Sequence, residues 1–192
     1  MLDYLIGLDT RLFYAINSAR CNFADWFFAV FSAHLFIGIV VTALSIYLML
    51  TYFKQKWWVV LCLVGLSFLL ADRLSVLCFK DVFERLRPSH ALDNVFLCKM
   101  SHFHLLYNDK GGLYGFVSSH AANVFGISTL FSFFIRNRYV KMTMFLWAIV
   151  VCYSRIYCGY HYPADVICGS LLGILTGWGI YLLFRKSGIM KR

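Results

Sequence analysis

The sequence predicts an all-α fold: a polytopic membrane helix bundle of about five transmembrane helices behind an N-terminal amphipathic helix lying at the interface. Three observations predict it. Of 192 residues, 61% are hydrophobic and only 14% charged, with a mean hydropathy of +0.71, whereas a soluble domain carries about 25% charged residues. Apolar runs long enough to cross a bilayer recur along the chain. Positive charge is gathered into the short segments between some of those runs. One membrane domain, residues 1–192, is expected.

In residues 1–20, Leu2, Leu5, Ile6, Leu12, Phe13 and Ile16 share a helical stripe, with Asp3, Thr10 and Asn17 elsewhere and Asp9 interrupting it. That pattern reads as the interfacial helix. It has no basic run before an apolar core and no small-residue cleavage site, so a removable signal peptide is not expected. Residues 27–50 form the first span, broken only by mildly polar residues and His34. Residues 51–56 are a basic turn. Residues 57–79 form the second span, anchored by Trp57 and Trp58. Asp72 and Arg73 interrupt it late, either as an internal ion pair or with Asp72 on the same face as Lys80.

Residues 81–119 are the only long polar segment, and a loop of that length is expected to cover a site. Its histidines, His90, His102 and His104, lie outside any motif, as does His34, and are expected to be loop or interfacial residues. Residues 121–135, 142–157 and 164–184 form the remaining spans. On the last, Gly169, Gly173 and Gly177 make a small-residue ridge suited to close packing against another helix of the chain. The seven cysteines include no C-x-x-C pair, so a structural zinc site is not expected. Cys21 and Cys98 are the two placed for a bridge outside the membrane.

Charge orients the chain. Segments 51–56, 136–141 and 185–192 hold Lys54, Lys56, Arg136, Arg138, Lys141, Arg185, Lys186, Lys191 and Arg192 with no acidic residue. They therefore carry the whole net charge of +9. The positive-inside rule makes them cytoplasmic. With five spans, the other helix ends face outward, including three stretches rich in reactive side chains.

Those stretches hold Lys80 and Arg87; Ser118, Ser119 and His120; and Arg155, His161 and Asp165. Charges are rare at bilayer depth and mark working sites. Lys80, Arg87 and Arg155 suit phosphate oxygens, the arginines through their planar fork. Ser118 and Ser119 open a helix whose free N–H groups favour an anion. Pro163 suits the first turn of the last helix, and Asp165 would follow within reach of His161, fixing its tautomer. His161 would attack phosphorus, His120 would protonate the leaving oxygen, and water would hydrolyse the phosphohistidine. Three fixed cations supply the charge neutralisation, so neither a metal nor another cofactor is expected.

The spacing resembles the three signature motifs of the type 2 phosphatidic acid phosphatase superfamily. Lys80, six residues, Arg87-Pro88 is similar to the first. Val117-Ser118-Ser119-His120 is similar to the second, with Val for Pro and Ser for Gly. Ser154-Arg155, five residues, His161, three residues, Asp165 matches the third in full. The resemblance frames residues 80–165 and implies an integral membrane lipid phosphatase whose partners are a phosphorylated lipid and the bilayer, with no nucleic acid. Undecaprenyl pyrophosphate is the leading substrate expectation, because an outward-facing site fits carrier recycling. Lipid A phosphates, phosphatidylglycerol phosphate and phosphatidate are the alternatives, and a bacterial inner membrane with the site facing the periplasm is the expected location. A phospholipid-binding or transport protein is the non-enzymatic rival. Vanadate-dependent haloperoxidases share these motifs in soluble folds, a remote reading beside this composition. Oligomeric state is left open.

Overall fold

The computed structural model describes residues 2–101, 104–107 and 109–187, without the side chains of Leu2 and Ser101. His102, Lys191 and Arg192 lie outside the described residues. The chain is mostly helical. In order come α1 (Leu2–Asn17), α2 (Asn22–Ser32), α3 (His34–Leu48), α4 (Trp57–Ser75), the short α5 (Asp81–Phe83) and α6 (Pro88–Ala91), a hairpin of β1 (Cys98–Ser101) and β2 (His104–Tyr107), α7 (Ser119–Ser132), α8 (Arg138–Tyr157) and α9 (Pro163–Lys186). Among the described residues, three continuous helical stretches are long and apolar enough to cross a membrane: His34–Phe83, Arg138–Tyr157 and Pro163–Lys186.

The first of these turns back on itself. Lys54 adopts a positive φ of 31°, and this reversal lets α3 pack beside α4. Wider π turns at Met49–Phe53 and Val76–Lys80 end the two arms. The apolar run at residues 27–50 is not one helix. Ala33 is extended, dividing the run into α2 and α3 without any proline or glycine to announce it.

At the centre stands α7. Its 14 residues span only about 21 Å at 1.5 Å per residue, less than a hydrocarbon core. The surrounding helices α4, α8 and α9 shield it, and Ala121, Val124, Ile127, Leu130 and Phe131 are all buried. The glycine ridge of α9 lies on it. A Cβ added at Gly169, Gly173 or Gly177 would stand 2.5, 2.4 or 2.4 Å from the carbonyl oxygens of Ser118, Ala122 and Gly126. The ridge therefore serves contact within the chain, with backbone against backbone.

α1 departs from its predicted stripe. Asp9, Phe13 and Asn17 face inward and are buried, whereas Leu5, Ile6, Leu8 and Leu12 are exposed. In a membrane protein the apolar phase lies outside, so the inward face is free to carry polar groups that pair with loops. Asn17 does so with both ends of its amide. Its Nδ2 donates to the carbonyls of Phe96 and Tyr157 at 2.8 Å, and its Oδ1 accepts from Phe96 N at 2.9 Å.

The basic ends meet. Tyr52 Oη accepts from Arg136 N at 3.0 Å, Phe53 packs on Phe134, and Phe133 stacks on Tyr181. The reactive stretches gather at the other ends of the same helices.

Candidate active site

Each reactive side chain sits where a helix starts or stops. Lys80 closes the π turn after α4, and Arg87 precedes Pro88, the first residue of α6. Ser118 is the N-cap of α7, its hydroxyl facing Ala121 N. Arg155 lies in the last turn of α8. Tyr160 and His161 return their N–H groups to the Arg155 carbonyl at 3.0 and 3.3 Å, folding the short link to α9. Pro163 then starts α9, and Asp165 Oδ2 accepts from Tyr162 N at 3.0 Å, satisfying a donor just ahead of the helix.

Lys80, Arg87, Ser119, His120, Arg155 and His161 line one cavity of about 350 Å³. Lys80 Nζ donates to Ser119 Oγ at 2.7 Å, and Ser119 Oγ also meets Ser75 Oγ at 2.7 Å. Arg87 Nε is fixed by the Tyr114 carbonyl at 3.1 Å. The Arg155 guanidinium donates to Ser32 Oγ and lies 4.4 Å from the centre of the Tyr160 ring. Its Nε is buried without a hydrogen bond, as are His120 Nε2 and His161 Nδ1. Such orphaned groups are rare in the absence of a ligand or water. Gly115 lets Arg87 and Asp165 pack close to the backbone, since a Cβ there would lie 3.1 Å from both Arg87 Cγ and Asp165 Oδ2.

Asp165 does not line the cavity. It lies fully buried behind His161, with Oδ2 3.6 Å from Nδ1, too long for a hydrogen bond. Burial pushes the His161 imidazole well below the ordinary histidine pKa, and the charges of Arg87, Arg155 and Lys80 push it further. At neutral pH the ring is uncharged and holds a lone pair. Among the described residues, no acidic side chain forms an ion pair with Lys80, Arg87 or Arg155, leaving their charge for a guest.

Ser118 is the one predicted phosphate contact that the fold does not bring to the cavity. Its hydroxyl faces the first turn of α7, and its N–H donates to the Asp165 carbonyl at 3.0 Å. A capping serine is occupied by the helix it caps.

Several contributors carry no motif signal. Arg85 donates to Asp165 Oδ1 at 2.8 Å and to Asp9 Oδ2 at 2.6 Å, while Asp9 Oδ1 accepts from Ala164 N at 2.9 Å. Asp9, which spoiled the predicted stripe, thus caps α9 beside the site. Of the histidines outside the motifs, His34 lines the cavity with its ring 4.7 Å from that of His120. His90 and His104 do not line it. Asp72, Lys99, Asn123 and Tyr160 complete the polar wall. Cys98 lies against Cys158, with the sulfurs 2.9 Å apart, while Cys21 is exposed and not against Cys98; all three are free thiols in this structure. Among the described residues, no three His, Cys, Asp or Glu side chains gather as a metal ion would require.

The fold and the cavity define a class: helix-bundle membrane proteins with a cavity lined by Lys80, Arg87 and Arg155 at one end of the bundle. Residues 65–189 match the PAP2 superfamily. The chain is 31% identical over 189 residues to a lipid A 4'-phosphatase of Bacteroides thetaiotaomicron, covering 97% of this chain and 81% of that one. It is 31% identical to an undecaprenyl-diphosphatase of Sulfolobus acidocaldarius, over 88% of this chain and 74% of that one. The crystal structure of Aquifex aeolicus LpxE superposes with a TM-score of 0.69 at 30% identity, covering 90% of this chain and 94% of that one. The chain belongs to the PAP2 superfamily and is a membrane lipid phosphatase.

Proposed function

We propose that the protein removes a phosphate from a sugar-bearing lipid headgroup of the lipid A class, at the outer leaflet of a bacterial inner membrane, through a phosphohistidine on His161. One observation carries the reading: Lys80, Arg87 and Arg155 converge on a single cavity beside an uncharged, buried His161. The three cations bind the phosphoryl oxygens and neutralise charge as the transition state spreads it, with Ser119 as a further donor. His161 Nε2 attacks phosphorus. The bond to the leaving oxygen breaks, and His120 gives that oxygen its proton. Asp165 stabilises the charge that builds on the His161 ring, and their 3.6 Å separation tightens as it does. Water then attacks the phosphohistidine, His120 takes its proton, and inorganic phosphate leaves.

The substrate class rests on the similarity to the lipid A 4'-phosphatase over nearly the whole chain and on the cavity wall. Asp72, Asn123 and His34 are hydrogen-bonding groups suited to sugar hydroxyls. Undecaprenyl pyrophosphate is the second reading, supported by the Sulfolobus relative. The basic ends support the orientation: with five crossings by α3, α4, α7, α8 and α9, the positive-inside rule favours cationic turns in the cytoplasm and the cavity outside.

The test is phosphate release by purified protein in detergent from lipid A, undecaprenyl pyrophosphate, phosphatidylglycerol phosphate and phosphatidate, with chelator present. The expected result is preferential release from lipid A, abolished in His161→Ala. Preference for the pyrophosphate would favour the second reading. Undiminished release by His161→Ala would refute the phosphohistidine.

A further inference from the structure

We propose that Cys98 and Cys158 form a disulfide in the mature protein, stapling the 98–107 hairpin to the turn that carries Tyr160 and His161. The two sulfurs lie 2.9 Å apart although the residues are 60 positions apart. That is closer than two unbonded sulfur atoms rest, and both residues are almost completely buried, at 1% and 0% exposure. The backbones on either side are already locked together. Gly159, at φ +81°, comes so close to the 95–97 stretch that an added Cβ would lie 2.6 Å from both the Phe96 carbonyl and Leu97 Cδ2. Asn17 ties Phe96 to Tyr157 from below. Nothing needs to move far to bring the sulfurs to bonding distance.

The placement gives the staple a purpose. Lys99 and Met100, next in the hairpin to Cys98, line the cavity, as do Arg155, Tyr160 and His161 on either side of Cys158. One bond would hold two walls of the cavity together.

The chemistry is thiol–disulfide exchange with a disulfide-bearing oxidoreductase of the extracytoplasmic space. One thiolate of the pair attacks a sulfur of the donor disulfide, releasing one donor thiolate and forming a mixed disulfide. The second thiolate attacks the mixed disulfide and releases the other donor thiolate. The two cysteine protons end on the two donor sulfurs, so the pair is oxidised and the donor reduced. Burial of both sulfurs places the exchange before the hairpin docks and shields the finished bond from reductants.

The inference rests on the outward orientation proposed above, and the experiment separates the two. Protein purified from membranes without reductant is unfolded in N-ethylmaleimide and weighed. Of the seven cysteines, five should be alkylated, rising to seven after reduction in denaturant, with a linked Cys98–Cys158 peptide in the non-reduced digest. In parallel, spheroplasts are treated with a membrane-impermeant maleimide, and Cys21→Ser identifies the label on Cys21, which is exposed and sits at the site end with its N–H 3.4 Å from Tyr157 Oη. Seven alkylated cysteines with Cys21 labelled from outside would overturn the disulfide alone. Seven with Cys21 shielded would overturn the orientation and the disulfide with it. A linked pair other than Cys98–Cys158 would also refute the assignment. The double serine variant should melt roughly 5–15 °C lower than the oxidised protein.

Discussion

Arg85 points away from the cavity, yet the site should depend on it. Its guanidinium bridges Asp165 and Asp9 at 2.8 and 2.6 Å. Arg85→Gln leaves two buried carboxylates without their cation. Two charged hydrogen bonds of about 1.5–3 kcal/mol each give a gross loss of about 3–6 kcal/mol. The Arg85 side chain is 26% exposed, so solvent screens part of this, and about 2–4 kcal/mol remains. In a chain of this size that lowers Tm by about 5–15 °C. Arg85 acts on catalysis through Asp165, so kcat should fall about 10–100-fold with KM little changed. Adding Asp9→Asn removes one of the stranded charges. Stability should partly return, while kcat stays low because Asp165 still lacks its cation. Thermal melting in detergent and phosphate-release kinetics on the single and double variants read both effects. An Arg85→Gln protein within a few-fold of wild-type kcat, or a double variant that regains kcat together with stability, would refute the reasoning.

Other consequences are open to measurement. Because burial and then Arg87, Arg155 and Lys80 lower the His161 pKa, the acid limb of kcat/KM should lie below pH 6.5, the ordinary value for histidine. Arg87→Gln removes one of the depressing charges and should move that limb to higher pH, a shift that pH–rate profiles of both proteins would reveal. Gly173→Ala forces a methyl to 2.4 Å from the Ala122 carbonyl and 2.9 Å from Gly126 N, which should destabilise by about 1–3 kcal/mol. Gly179→Ala, with nothing within 4 Å, should be neutral or slightly stabilising in the same melting assay. Lys99→Ala breaks a half-exposed pair with Asp109, so stability should change by less than about 1 kcal/mol. As a cavity-lining cation it should still raise KM about 3–10-fold with kcat retained.

Local chemistry was legible in the sequence, and long-range pairing was not. Lys80, Ser119, His120, Arg155 and His161 were readable because they lie at the ends of apolar runs, where a charge or histidine stands out, and Arg87 through its spacing from Lys80; the fold gathers all six on one cavity. The helical class followed from the same runs. The break at Ala33 was invisible because alanine favours helix; its use is tertiary, turning Ser32 toward Arg155 and His34 toward His120. Ser118 fits both a helix cap and an anion site in the sequence, and the fold uses its hydroxyl as the cap.

Asp9 carries the point furthest. As a flaw in an apolar stripe it weakened the reading of α1. In the fold it accepts from Ala164 at the head of α9 and from Arg85, which in turn holds Asp165 behind His161. A carboxylate buried in a membrane protein is unfavourable unless something inside requires it. What requires Asp9 lies 76 and 155 residues away in sequence, beyond the reach of any local pattern. In this chain the interruption of an apolar pattern was itself a pointer to the site: Asp72 and His34 line the cavity, and Asp9 reaches it through Arg85 and Asp165.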